Sequence, residues 1–194
     1  MNKLSVPYYS QHRDVEDPDW QIKSCAIACI KMVMEFLNND NQNLPSIDEL
    51  IKEGIIIGAH STSSGWIHAG LVRLAHNHGY SAYNEEFRSI RVDIAEATFN
   101  QSEHEEILLN KAISKIKRKI ENNFPVIISC SAGWQDIQRY HQVVIIGIEE
   151  EGKEVKGFYY HEPEAKSELE GANRFVDIET FKTHWRKFAI FLGK

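Results

Sequence analysis

Ser24-Cys25-Ala26-Ile27-Ala28-Cys29-Ile30-Lys31-Met32-Val33-Met34-Glu35-Phe36-Leu37 decides the fold. From Cys25 to Leu37 it is apolar almost all round, so as a helix it has no broad face to give to water and belongs in the middle of a domain. Before it, Gln11 to Ser24 is a polar loop rich in Asp that carries Trp20. Cys25 therefore sits at the helix start, where free backbone N–H groups and the positive end of the dipole favour a thiolate. Two readings of Cys25 stand side by side. It is a nucleophile held by a rigid element, or a small hydrophobe at a helix end, as many free cysteines are.

Outward from that helix, Lys3 to Tyr9 reads as a short edge strand or an extended lead-in interrupted at Pro7. On the other side, Asn38 to Leu44 is a turn-rich stop. Pro45-Ser46-Ile47-Asp48-Glu49 opens a second helix that ends near Gly54, with Ser46 as cap and Glu49 three residues on. His60 to Gly65 is a loop. Trp66, Ala69, Leu71, Leu74 and Ala75 mark a third helix ending before Gly79, and Tyr80 to Tyr83 a strand. Residues 88–102 show no period and receive no assignment. From Glu103 to Asn123 the positions Ile107, Leu108, Ala112, Ile113, Ile116 and Ile120 recur every three or four residues, which predicts an amphipathic helix whose Lys and Arg residues form a solvated face.

The second half changes period. Phe124 to Ser129, His141 to Glu149, Gly157 to His161, Arg174 to Asp177 and Phe188 to Leu192 are short runs rich in Val, Ile, Phe and Tyr between polar or glycine-containing turns. Helices first and strands afterwards predict an α+β fold, a helical part packed on an antiparallel sheet. The 194 residues suit a single domain, 1–194, although two small ones fit the length as well.

Composition narrows the function classes. With 42% hydrophobic and 26% charged residues the chain is ordinary globular sequence. No apolar run approaches the roughly 20 residues of a spanning helix, and the N-terminus lacks the apolar core of a signal peptide. The net charge of −6, with the basic residues gathered mainly on one helix face, argues against nucleic acid as a partner. Three cysteines without paired Cys-x-x-Cys units indicate neither a disulfide framework nor a structural zinc site. Reduced thiols and a cytoplasmic address are the expectation.

A thiol nucleophile needs an imidazole from a separate rigid element. Of nine histidines, His141 and His161 have a strong strand context, and His141 heads the apolar run Gln142-Val143-Val144-Ile145-Ile146-Gly147-Ile148, at the rim of a sheet. Cys29, inside the helix, and Cys130, at a strand end, read as structural. His76-x-His78 with His68 is the competing metal idea, but the spacing matches no helical His-x-x-x-His zinc motif. No metal and no cofactor are expected.

At these residues the chain resembles the papain-like cysteine peptidases related to the bacteriocin-processing, double-glycine-leader peptidases. Leu4-Ser5-Val6-Pro7-Tyr8-Tyr9-Ser10-Gln11 is similar to the family's opening strand with its oxyanion glutamine, and Ser24-Cys25-Ala26-Ile27-Ala28-Cys29 to its nucleophile motif. Phe124-Pro125-Val126-Ile127-Ile128 resembles the strand before the histidine, and Tyr140-His141-Gln142-Val143-Val144-Ile145-Ile146-Gly147 the histidine strand. Tyr160-His161-Glu162-Pro163 resembles the segment where the family has Asp-Pro, and Phe181, Trp185 and Phe188 to Leu192 its C-terminal closure. Two departures stand out: Ala26 follows the cysteine where glycine is frequent, and Glu162 replaces the Asp or Asn that orients the histidine.

The resemblance implies a cysteine peptidase acting on a peptide or isopeptide bond, with a peptide or protein as partner. Cys25 would attack, His141 would stabilise the thiolate and protonate the leaving amine, and Glu162 would fix the ring. His161 or a water is the alternative to Glu162. Gln11 would donate to the oxyanion with the Cys25 N–H, each donor worth about 2.7–4 kcal/mol in other hydrolases, whereas without the resemblance it is an ordinary loop amide. Trp20 and Trp134 would wall a cleft or cap the core. Deamidation or transpeptidation on the same fold, and an inactive binding module, remain as alternatives.

Overall fold

The structure, a computed structural model, describes residues 2–40, 42–88 and 101–194. Strand β1 (Asn2–Lys3) leads through an extended segment to helix α1 (Pro18–Gln21), and α2 (Cys25–Phe36) follows after a tight turn. Every residue of α2 from Ala26 to Met34 is buried. Even Lys31 complies, because its ammonium reaches out to Glu35, one turn on, at 2.6 Å.

Helix α3 (Ile47–Ile56) begins with the reciprocal cap foreseen in the sequence. The Ser46 hydroxyl accepts from the Glu49 N–H at 3.2 Å, and Glu49 accepts from the Ser46 N–H at 2.8 Å. The His60–Gly65 loop is instead mostly a small hairpin, β2 (His60–Ser61) on β3 (Gly65–Trp66), which the glycine-rich sequence did not advertise. Helix α4 (His68–Asn77) and strand β4 (Ser81–Glu86) come next. Most of the unassigned 88–102 stretch lies outside the described residues. Helix α5 (Gln101–Glu121) then buries Ala112, Ile113, Ile116 and Ile120, and its basic face is partly engaged, with Lys115 on Glu85 and Lys117 on Glu150.

The remaining strands are β5 (Val126–Ser131), β6 (Tyr140–Glu151), β7 (Glu154–His161), β8 (Arg174–Asp177) and β9 (Trp185–Gly193). Short helices α6 (Glu168–Gly171) and α7 (Ile178–His184), absent from the sequence reading, flank β8. They are too short to show a period. Each starts on a side-chain cap, Ser167 and Asp177 respectively.

The sheet runs β4-β9-β5-β6-β7-β8, with β1 added on β6, and every pairing is antiparallel. Only Asn2 and Lys3 of the N-terminal segment pair as strand; the rest is the extended lead-in. Residues 141 to 148 of β6 are all buried, which is why that run is apolar without alternation. Helices α2 and α5 both pack on β6. This is the α+β, papain-like arrangement expected, a core helix against an antiparallel sheet. No helix among the described residues is long and apolar enough to cross a membrane.

Candidate active site

Cys25 is the first residue of α2, half-buried, and the turn before it is tied down twice. The Ser24 hydroxyl donates to the Trp20 carbonyl at 2.8 Å, and the Trp66 indole N–H donates to the Lys23 carbonyl at 2.7 Å. The buried body of α2 fixes the thiol from the other side.

His141, near the start of β6, is buried to 3% exposure and close enough to the Cys25 thiol for each to shift the other's pKa. Its Nε2 is taken by a carboxylate oxygen of Glu162, so Nδ1 is the nitrogen left for Cys25. The next residue serves both cysteines of α2. The Gln142 backbone N–H helps to lower the Cys25 pKa, and the Gln142 carbonyl accepts from Cys29 Sγ at 3.3 Å, locking β6 to α2 one turn below.

Charge follows from this arrangement. Burial pushes the Cys25 thiol up, but the adjacent imidazole and the Gln142 N–H outweigh it, and the net shift is downward. Burial likewise pushes His141 down, and the thiolate and Glu162 outweigh it, so the net shift is upward. Both shifts run toward a thiolate–imidazolium pair. The other two thiols lack such a partner, and burial drives both well above the ordinary range.

Glu162 overcomes its extra methylene because the turn that carries it is anchored. Its carboxylate accepts from the Glu164 N–H at 3.0 Å, and Arg139 clasps Glu164 in a bidentate pair at 2.5 and 2.8 Å. The N-terminal segment is bolted to the same turn: Tyr8 donates to the Glu162 carbonyl at 2.9 Å, Ser10 to the Ala165 carbonyl at 2.6 Å, and the Gln11 N–H to the Pro163 carbonyl at 2.8 Å. The Gly171 carbonyl accepts from the Glu162 N–H at 2.8 Å, and a Cβ at Gly171 would lie 2.0 Å from the Tyr8 hydroxyl. No other residue fits there. His161, the alternative orienting group, points elsewhere: its Nε2 donates to the Val6 carbonyl and its Nδ1 accepts from the Asn173 N–H.

Gln11 is buried to 1% exposure and lines the same cleft as Cys25 and His141. Its amide oxygen has no hydrogen-bond partner among the described residues, unlike the paired amide of an ordinary loop. Trp20 packs edge-on against His60 and tilts on Trp66, both of which line the cleft. Trp134 does not reach it, and packs on Tyr160 and Phe181 in the core. The sequence reading missed much of the cleft wall, notably His60, Trp66, His68, Ser129, Arg186 and Phe188. These come from separate elements and share no local pattern.

His141, Glu162 and Glu164 offer three ligand atoms within 4.8 Å of one another, a geometry that suits a metal ion. The donors are already used, however: the ring N–H satisfies Glu162 and the Arg139 guanidinium satisfies Glu164. A cation would have to displace both. His76 and His78 go to the Ala82 backbone and to Glu53.

Solved structures share the fold along the whole chain. A C39-like peptidase from Bacillus anthracis aligns over 100% of this chain and 98% of its own, with a TM-score of 0.65 at 15% identity. A double-glycine-motif protease from an AMS/PCAT transporter, solved with a leader peptide, covers 100% and 95% with a TM-score of 0.54 at 14% identity. The peptidase domain of Streptococcus ComA, a bifunctional ABC transporter of a quorum-sensing pathway, covers 100% and 98% with a TM-score of 0.53 at 17% identity. No curated protein sequence matches the chain. The family model described as Peptidase_C39 like matches residues 3–189, nearly end to end. The chain belongs to the Peptidase_C39 like family.

Proposed function

We propose that this chain is a thiol peptidase, a single domain over residues 1–194 in which Cys25 and His141 cleave a peptide or isopeptide bond through an acyl-enzyme. The observation that carries this reading is the continuous chain Cys25–His141–Glu162, in which one thiol of three is driven toward its thiolate. The Cys25 thiolate attacks the carbonyl carbon. The His141 imidazolium gives its Nδ1 proton to the leaving amine, and the neutral ring then takes a proton from the water that releases the acid.

Glu162 holds the ring with Nδ1 toward the sulfur and stabilises its charge. The oxyanion forms beside the Cys25 N–H, at the start of α2, and the buried Gln11 amide supplies a second donor when its NH2 group faces the sulfur. The cleft has a volume of about 1320 Å3. That exceeds the roughly 300–1,000 Å3 of small-molecule pockets and favours an extended peptide over a small amide. The leader peptide bound to the transporter protease is one model for such an occupant. A nucleophile of this kind must stay reduced, which suits a cytoplasmic setting.

The test is alkylation of the three cysteines by iodoacetamide across pH, with sites assigned by mass spectrometry, in the wild type and in His141→Ala. The reading requires Cys25 alone to react fast with a midpoint well below 8.5, and His141→Ala to abolish the advantage. If Cys25 behaves as an ordinary thiol, the fold is a binding module.

A further inference from the structure

Strand β9 is broken where it passes the cleft. Against β5 its register jumps from Ser129↔Phe188 to Cys130↔Trp185, so Arg186 and Lys187 are extra residues that bulge out of the ladder. Lys187 takes φ 58°, which side chains other than glycine's rarely adopt. Three contacts impose the bulge: the Phe87 N–H donates to the Lys187 carbonyl at 2.8 Å, Arg88 Nε to the Arg186 carbonyl at 3.2 Å, and the Trp185 indole to the Phe188 carbonyl at 3.0 Å. Bulges beside active sites re-aim a side chain, and here the side chain is that of Arg186, which lines the cleft with Cys25 and His141.

Its guanidinium lies 3.4 Å from the ring centroid of Tyr140, the residue before His141. Neighbouring arginines have acids: Arg88 pairs with Glu86 at 3.0 Å, and Arg139 with Glu164. Arg186 has no carboxylate and no hydrogen-bond acceptor for its guanidinium among the described residues. Burial first, and then the Arg88 charge, depress its pKa and outweigh Tyr140 and Glu86, which act to raise it. The acid on the wall beside it, Glu86, is engaged by Arg88 and makes no ion pair with Arg186. His68 stacks on Phe188 with centroids 4.0 Å apart and shares a 2.8 Å hydrogen bond with the Ser129 hydroxyl, and burial followed by Arg186 holds its pKa down to about 4, so it is neutral. Stacking on Tyr140 alone does not account for the bulge, since that ring is 57% exposed.

We propose that Arg186 is a specificity residue that receives a carboxylate of the substrate, from an Asp or Glu side chain or from the substrate's own C-terminus. A planar guanidinium with free N–H groups matches a carboxylate two bonds at a time, and the Tyr140 face holds the plane in place. The proposal rests on the peptidase reading for its substrate, and its test is separable from that reading.

The first arm is hydrolysis of a positional-scanning library of quenched peptides, each Glu or Asp peptide paired with its Gln or Asn counterpart, with free-acid and amidated C-termini. At one position the acid is preferred in kcat/KM on the order of ten- to a hundredfold. In Arg186→Gln the acid-to-amide ratio falls to about one, and Arg186→Lys restores part of it. A side-chain source shows in the Glu/Gln pairs, a terminal source in the free-acid/amide pairs. The second arm needs no turnover: the same peptides are captured on immobilised Cys25→Ala and on Cys25→Ala/Arg186→Gln. Acidic peptides are enriched on the first and not on the second. Hydrolysis without acid preference, or a preference that survives Arg186→Gln, overturns the proposal and leaves the peptidase standing. Arg186-dependent capture without hydrolysis by the wild type does the reverse.

Discussion

His141 on β6 and His161 on β7 lie on neighbouring strands, are 3% and 2% exposed, and have pKa values shifted in opposite directions. His161 is bonded only to backbone, the Val6 carbonyl and the Asn173 N–H, and burial lowers its pKa. His141 suffers the same burial yet is raised, because a thiol and a carboxylate flank it. Burial alone makes a histidine neutral structural mortar. Two anionic neighbours make it a cation that can lend a proton.

Removing the partner is the harshest way to break that contrast. In His141→Ala, Cys25 keeps the Gln142 N–H but loses the imidazole that offsets its burial, so iodoacetamide labelling at neutral pH collapses, and hydrolysis falls on the order of 10²–10⁴-fold. A labelling midpoint that stays low in this variant means that something other than His141 activates the thiol. Glu162→Gln is milder. The ring keeps a hydrogen-bonding neighbour but loses the charge, so the alkaline limb of the activity profile, where His141 loses its proton, moves down by about one pH unit or more. An unmoved limb would show that Glu162 acts on His141 through geometry alone.

His161→Gln sharpens the other side. It costs about 1–3 kcal/mol in stability, read by denaturant melts, and leaves the pH profile of Cys25 labelling where it was. The pH dependence has a definite sign. His161 and His68 have folded pKa values below the ordinary 6.5, with His68 at about 4, so the unfolded chain takes up protons first as pH falls. Their contribution is complete above about pH 6.5 and is lost progressively toward pH 4. Melting temperatures should drop over that window, and less steeply in His161→Gln. Arg139→Gln has the smallest effect. The pair with Glu164 is solvent-exposed on the Arg side, and its loss changes stability by about 0–1 kcal/mol.

The features legible in the sequence are those whose cause is local. An apolar run without alternation announces α2 and β6, a three-residue spacing announces the cap of α3, and Cys25 and His141 stand at the ends of the two strongest patterns. Glu162 emerged only from the order of motifs, because its grip on His141 depends on Tyr8, Ser10, Gln11 and Gly171, none of them its neighbours in sequence. The β9 bulge was invisible for the same reason. Nothing in Trp185-Arg186-Lys187-Phe188 forbids a regular strand, and the departure is imposed by Phe87 and Arg88 from across the sheet.

The clasp between the N-terminal segment and the Glu162 turn joins residues 154 positions apart. A chain still being synthesised displays Cys25 while His141, Glu162 and Gly171 do not yet exist. Until they arrive Cys25 lacks the imidazole that lowers its pKa. Contacts of such sequence separation also form late and slowly. On the peptidase reading, chain topology thereby postpones the reactivity of Cys25 until the Glu162 turn has been made.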